Sequence, residues 1–249
     1  LSTEAPWPEG FDRIVLDRVD STNAEAARIA GELNYPTWIL AREQTAARGR
    51  RGVAWANPAG NFAATLVMRP GGVPAWAALR SFLAANALFE ALAMRVDRTR
   101  LSLKWPNDVL LDNGKVAGIL LESAGPAGQV EWLSIGIGVN LVMAPDDVRD
   151  AVFPPVSVAE ATGVEIEPEE FLVILADAYA TQESILTRLG FPTIREHWLR
   201  HAARLGEVIT ARTGREEIVG RFETIDEHGQ LVLETPDGRR AVPAADVFF

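Results

Sequence analysis

No cysteine occurs among the 249 residues, which excludes a disulfide framework and any thiolate metal site and fits a reducing compartment. Nor is there an uninterrupted apolar run of about 18 residues, so no membrane-spanning helix is expected, and no initial apolar run reads as a signal peptide. Positive charge is scarce: 24 Lys and Arg face 34 Asp and Glu, a formal net charge of -10 at pH 7. That balance argues against bulk nucleic-acid binding, which relies on Lys and Arg to replace phosphate counterions. Internal repeats and low-complexity stretches are absent too. What remains reads as a soluble, cytoplasmic protein. Its 48% hydrophobic residues can fill a core, with room for one large domain or a medium domain plus a small one.

Against this acidic background one segment stands apart. Gln44-Thr45-Ala46-Ala47-Arg48-Gly49-Arg50-Arg51-Gly52 sets three arginines about Gly49 and closes on Gly52. Guanidinium forks beside backbone that can approach a ligand closely and take positive φ suit a phosphate or a carboxylate. A solvated basic turn explains the same residues, so the rest of the chain has to decide.

Arg13 to Val19 reads as a strand because Ile14, Val15 and Leu16 are apolar or β-forming. Thr22-Asn23-Ala24-Glu25 fits a capping box that opens an Ala-rich helix to Leu33, and a plain helix cap accounts for Ser21, Thr22 and Asn23 as well as a ligand site does. Thr37 to Glu43 is a second strand running into the cationic segment, followed by a loop to Gly60 of a length usually explained by function or disorder. Phe62 to Met68 predicts a strand, Pro74 to about Val96 a buried helix with a solvated basic end at Arg95, Arg98 and Arg100, and Leu101 to Trp105 a strand stopped by Pro106-Asn107-Asp108. Val109 to Leu111 and Lys115 to Glu122 predict a hairpin about Asp112-Asn113-Gly114, since Asn-Gly is a strong hairpin signal.

Gln129 to Ile137 predicts a strand leading into Gly136-Ile137-Gly138-Val139-Asn140, which resembles the start of a dinucleotide fingerprint. Leu141 takes the third glycine's place and Pro145 stands where a helix should begin, so a Rossmann reading is rejected. Asp146 to Thr162 reads as irregular with short helical pieces, and Pro168 to Leu189 and Pro192 to His201 as helices. His197 and His201 share a helix face, but no third ligand follows, which favours a solvated face over a zinc site. From about Arg204 the texture changes to short strands, Glu207 to Arg212, Glu217 to Ile225, Gln230 to Glu234 and Arg239 to Val242, separated by glycine turns. This pattern predicts a small β-barrel, and hence two domains, residues 1–203 and 204–249.

Four segments each end a strand with ligand-type residues: Ser21-Thr22-Asn23, Gln44 to Gly52, Lys104-Trp105-Pro106-Asn107-Asp108 and Lys115-Val116-Ala117-Gly118. Gathered at one edge of a sheet, they make a site. The Walker lysine motif and the Gly-x-Ser-x-Gly elbow are both missing, which disfavours P-loop hydrolysis and α/β-hydrolase chemistry. Cationic side chains with one acidic partner, Asp108, suit charge stabilisation at a phosphorus centre.

Taken in order, Asp20-Ser21-Thr22-Asn23, the run Gln44 to Gly52 with Trp55, Lys104-Trp105-Pro106-Asn107-Asp108, Lys115-Val116-Ala117-Gly118-Ile119-Leu120 and Gly136-Ile137-Gly138-Val139-Asn140 resemble the biotin-protein ligases from end to end. The resemblance implies an α+β catalytic domain with a mixed sheet, related to lipoate ligases and class II aminoacyl-tRNA synthetases, plus a small C-terminal Src-homology-3-like barrel. It implies ATP-dependent activation of biotin to biotinyl-5'-AMP with Mg2+, then transfer to a lysine of the biotin carboxyl carrier domain of a carboxylase. Ser21, Thr22, Asn23, Gln44, Arg48, Gly49, Arg50 and Lys115 match biotin-contacting positions. Arg50, Trp55, Lys104, Asn107, Asp108 and Asn140 match nucleotide positions, with Asp108 also the candidate Mg2+ ligand and Lys115 and Arg50 the catalytic pair.

Ala47 departs from the family's first loop glycine and Val53-Ala54 from residues that are basic in some members, which bears on affinity rather than on the reaction. With the first strand near Arg13, the single-function form without a DNA-binding domain is implied. A monomer or weak homodimer is expected. A lipoate or octanoate ligase would want a longer apolar tunnel in place of ureido partners, and a non-catalytic biotin-binding regulator would need an output domain.

Overall fold

The computed structural model describes residues 6–145, 153–243 and 246–248, and the irregular stretch expected from Asp146 lies outside the described residues as far as residue 152. In chain order the elements are β1 (Asp12–Val19), α1 (Thr22–Ile29), β2 (Thr37–Gln44), β3 (Phe62–Met68), α2 (Pro74–Ala78), α3 (Arg80–Ala93), β4 (Leu101–Lys104), β5 (Asp108–Leu111), β6 (Gly114–Ala124) and β7 (Trp132–Val139). Then come α4 (Val158–Thr162), α5 (Pro168–Leu189), α6 (Phe191–Arg200), β8 (Val208–Arg212), β9 (Glu217–Ile225), β10 (Leu231–Thr235), β11 (Gly238–Val242) and β12 (Asp246–Phe248). β1 to β7 form a mixed sheet in the order β1-β2-β3-β7-β6-β5-β4, and the last five strands form a second sheet in the order β11-β10-β9-β8-β12. Only β1 and β2 pair in parallel within the first sheet, with α1 as their crossover.

The period of two along each strand decides what the two faces of the first sheet carry. Trp38, Leu40, Ala64, Leu66, Ile135 and Ile137 join α3, α5 and α6 in one large apolar cluster. The alternate residues Ile39 and Val67 meet Ala26 and Ala30 of the α1 segment. Because α1 has only eight residues, it covers only part of that face. Further along, β6 and β7 present Gly118, Gly136 and Gly138, so the uncovered part is floored by bare backbone.

Several sequence expectations change in detail. Ser21, not Thr22, caps α1, its Oγ accepting from the Ala24 amide at 3.5 Å, while Glu25 turns to Arg28 instead of closing a capping box. The helix ends at Ile29, short of Leu33. The segment from Pro74 breaks at Leu79 into α2 and α3, and its basic end is paired, Arg98 with Glu90 and Arg100 with Asp112. The hairpin loop is Asp112-Asn113, both at positive φ (51° and 65°), with Gly114 already in β6. Asn and Asp tolerate that region, so the two-residue turn forms one position earlier than Asn-Gly suggests. His201 is half-buried rather than fully solvated: its ring stacks on Phe89 at 3.9 Å, and burial holds its pKa below the usual value. Among the described residues no group of three His, Cys, Asp or Glu could hold a metal ion.

The two sheets share the large apolar cluster, to which Phe222, Ile225, Leu231 and Leu233 contribute from β9 and β10. Trp198 of α6 lies between Phe82 and Phe222. Strand β4, the outer edge of the first sheet, is covered by the chain leaving α6: the Leu103 amide donates to the His201 carbonyl at 2.7 Å, and the Ala203 amide to the Leu103 carbonyl at 2.8 Å. Pairing an otherwise open edge in this way removes a template for aggregation. β12, which the sequence pattern did not mark, pairs with β8.

Candidate active site

Over the bare part of the sheet lies a cavity of about 280 Å³ lined by Ser21, Thr22, Asn23, Gln44, Arg48, Gly49, Arg50, Trp55, Lys104, Asn107, Asp108 and Lys115, among others. The strand-end segments singled out in the sequence therefore converge here. Asn140 does not line it. Buried to 2% exposure, it donates from Nδ2 to the Val156 carbonyl at 3.1 Å and lies 3.5 Å from the Lys115 carbonyl. Its amide ties the backbone of Lys115 to that of Val156.

The floor is ordered in rows across three strands. Ala63, Gly138 and Gly118 stand side by side, then Thr65, Gly136 and Leu120, then Val67, Ser134 and Glu122. Over the first row lies the Trp55 indole, and a Cβ on Gly138 would come within 2.6 Å of its ring. Over the second row lies the Asn23 amide, only 2.2 Å from where a Cβ on Gly136 would sit. Asn23 bridges β7, with Oδ1 2.7 Å from Thr65 Oγ1 on β3 and Nδ2 donating to Glu122 Oε2 on β6 at 2.8 Å. Thr65 Oγ1 is 2.8 Å from Thr22 Oγ1, which is 3.1 Å from Gln44 Oε1, and the Thr22 amide donates to that same oxygen at 2.8 Å. Freed from capping by Ser21, Thr22 joins this network. Beside it the Arg28 guanidinium and the Ser21 amide hold the Asp20 carboxyl below its usual pKa, the guanidinium being the larger cause.

The opposite end is cationic. Lys115 Nζ is 2.7 Å from Asp108 Oδ1, and Lys104 Nζ is 3.3 Å from Asp108 Oδ2. Lys104 also sits over the Phe153 ring at 4.6 Å, and Lys115 5.5 Å from the centre of Trp55. Asn107 Nδ2 donates to the Ile119 carbonyl at 2.7 Å, leaving its Oδ1 to accept from Arg50 at 3.2 Å.

The arginine segment forms the roof. Arg48 bridges Ala54, the Gly49 amide donates to the Val53 carbonyl at 2.7 Å and the Trp55 amide to the Ala47 carbonyl at 3.0 Å. At its tip, Gly52 takes φ 75°, a conformation that favours glycine; Gly49, at φ -99°, has no such need. Arg48 reaches Glu122 Oε1 at 3.5 Å. The residues lining the cavity include four cations, Arg48, Arg50, Lys104 and Lys115, and one carboxylate, Asp108. Such an excess of positive charge in a partly enclosed cleft attracts an anion.

Thr65 and Glu122 are the functional candidates that sequence reasoning missed. Their signals were slight: Thr65 is a lone hydroxyl in the otherwise apolar Phe62–Met68 strand, and Glu122 lies two positions past the Lys-x-Ala-Gly-Ile-Leu motif.

Residues 15–140 match the biotin/lipoate A/B protein ligase family, and residues 205–249 the biotin protein ligase C terminal domain. The chain is 55% identical over 238 residues to a biotin--[acetyl-CoA-carboxylase] ligase of Paracoccus denitrificans, covering 94% of this chain and 99% of that protein. It is 30% identical to the Mycobacterium tuberculosis protein of the same name, covering 94% of this chain and 87% of that one. The fold is that of the Aquifex aeolicus biotin protein ligase solved in complex with biotin and ATP, with a TM-score of 0.78 at 24% identity over 95% of this chain and 97% of that one.

Proposed function

Because the chain belongs to the biotin/lipoate A/B protein ligase family, we propose that it activates biotin with ATP and transfers it to a lysine of a biotin carboxyl carrier domain in the cytoplasm. The observation that carries this reading is the division of one cavity into a neutral, hydrogen-bonding floor and a cationic end. A buried ureido group must be hydrogen-bonded, and Ser21, Thr22, Asn23 and Gln44 offer the partners. The valerate carboxylate then points toward Lys115.

In the first half-reaction a biotin carboxylate oxygen attacks the α-phosphorus of ATP. The bond from that phosphorus to its bridging oxygen breaks, and pyrophosphate leaves with the electron pair. Lys115, with Arg50 from the roof, offsets the charge that gathers between carboxylate and α-phosphate, the kind of preorganised stabilisation that supplies much of an enzyme's rate. Lys104, Asn107 and Trp55 hold the nucleotide, and Arg48 and Gly49 close the roof over it. In the second half-reaction the carrier lysine amine attacks the acyl carbon, AMP departs, and the amide forms with loss of a proton.

Asp108 does not fit a resident Mg2+, since each of its oxygens already faces a lysine. Mg2+ usually keeps several waters and binds through one or two carboxylates plus substrate phosphates, so here it enters as the partner of the ATP phosphates. Asp108 positions the two ammonium groups instead. We read residues 1–203 as the catalytic unit and 204–249 as a smaller unit that buttresses it.

A pyrophosphate-release assay tests the proposal. Biotin with ATP should release pyrophosphate and lipoate should not, and biotin should appear on the carrier lysine. Release with lipoate alone would replace this reading with that of a lipoate ligase.

A further inference from the structure

Glu122 lies just beyond the cavity, and we infer that it is a positioning residue that sets the direction of the side-chain hydrogen bonds running from Asn23 through Thr65 to Thr22 in the cavity floor, so that the floor offers acceptors to an N–H of the guest. The inference rests on the proposed biotin site and follows from counting protons. Glu122, ion-paired to Arg48 through Oε1, can only accept, so Asn23 must present its Nδ2 to Oε2. Asn23 Oδ1 then faces Thr65 Oγ1 at 2.7 Å, and Thr65 must donate its one proton there. Thr22, 2.8 Å from Thr65, must in turn donate to Thr65.

Two hydroxyl protons have now served two contacts, and the third, 3.1 Å between Thr22 Oγ1 and Gln44 Oε1, is left without one. It is the longest of the three. Gln44 Oε1 takes the Thr22 amide instead. Lone pairs of both oxygens therefore converge in the cavity, where a ureido N–H supplies the missing proton. Were the Asn23 amide reversed, both hydroxyl protons would run toward Gln44, the chain would saturate itself, and no acceptor would face the guest. A carboxylate at position 122 forbids that reversal; a neutral amide there permits it.

The test measures KM for biotin, KM for ATP and kcat in pyrophosphate release for the full chain, Glu122→Gln, Glu122→Ala and the exchanged pair Asn23→Asp with Glu122→Gln. A charge-assisted hydrogen bond is about twice as strong as a neutral one. We expect KM for biotin to rise about tenfold in Glu122→Gln and about a hundredfold in Glu122→Ala, at tenfold for each ~1.4 kcal/mol, with KM for ATP and kcat little changed. The exchanged pair restores most of the biotin affinity, because a carboxylate at position 23 again accepts from Thr65. Unchanged KM for biotin in both single variants overturns the inference. So does a parallel loss of kcat and both affinities that the exchanged pair fails to restore, which would mark Glu122 as merely structural. Pyrophosphate release by the unaltered chain that does not depend on biotin would instead overturn the ligase reading.

Discussion

Thr22, Asn23 and Thr65, which build the cavity floor, are at most 5% exposed and sit on regular elements, whereas Arg48 and Arg50, which build the roof, hang from a loop. The floor's members are linked side chain to side chain in a continuous chain from Gln44 to Glu122. In the roof, and among the described residues, Arg48 reaches Glu122 at 3.5 Å and Arg50 reaches Asn107 at 3.2 Å. A buried network of side chains that hold one another resists exchange, because any group that loses its partner carries the full cost of desolvation. Half-exposed pairs to a loop can be traded for a ligand's phosphate at little cost. Floor substitutions should thus register as affinity, and roof substitutions as retention of the intermediate.

The largest effect is expected where the two regions meet. Lys115→Ala should lower adenylate formation by about 10²-fold or more, as loss of a preorganised charge donor does, while the melting temperature changes little; near-normal pyrophosphate release would remove Lys115 from the chemistry. Gly136→Ala breaks the floor alone. Its Cβ would stand 2.2 Å from Asn23 Oδ1, so biotin affinity should fall by about 10²-fold, the equivalent of ~2.7 kcal/mol, and biotin titration calorimetry would show it. Retained affinity would mean that Asn23 is not a biotin partner.

Arg50→Gly breaks the roof alone. Biotinyl-5'-AMP should leave faster, by roughly tenfold per 1.4 kcal/mol lost, and released adenylate should label lysines of bystander proteins; an unchanged dissociation rate would separate the loop from retention. The smallest effect needs no substitution. Trypsin cleavage after Arg48, Arg50 and Arg51 should slow when biotin and ATP are both present, since the shared anion gives like charges a common partner and closes the lid. Equal cleavage with and without the two ligands would leave the segment a solvated basic turn.

Strand and helix positions were legible because period two and helix stop signals are local: Phe62 to Met68 and Pro168 to Leu189 come out as read. The gathering of separated motifs at one cavity was legible as well, since strand ends carry ligand-type residues. What escaped was set by tertiary partners. Thr22 looks like a cap until Ser21 is seen to cap in its place and Gln44 to claim its amide. Glu122 looks like the polar end of a strand until Asn23 is found reaching over a glycine to meet it. Asn140 sits in a glycine-flanked motif that suggests a ligand, yet its amide answers buried backbone carbonyls. No sequence pattern reports where the segment near Val156 will run, so this partner of Asn140 could not be read in advance.

The tie between the two sheets also bears on how the protein is born. Lys104 belongs to a strand whose outer neighbours are residues 201–203, and the next residue, Trp105, donates from its indole to the Gly229 carbonyl at 3.1 Å, 124 positions later in the chain. On a translating ribosome, which releases the N-terminal end first, the strand bearing this lysine waits for nearly the whole chain before its surroundings are complete. The cationic end of the cavity is therefore among the last parts to take shape. A chain ended before residue 201 would carry the arginine loop and the floor without the segment that pairs with the outer edge of the strand bearing Lys104.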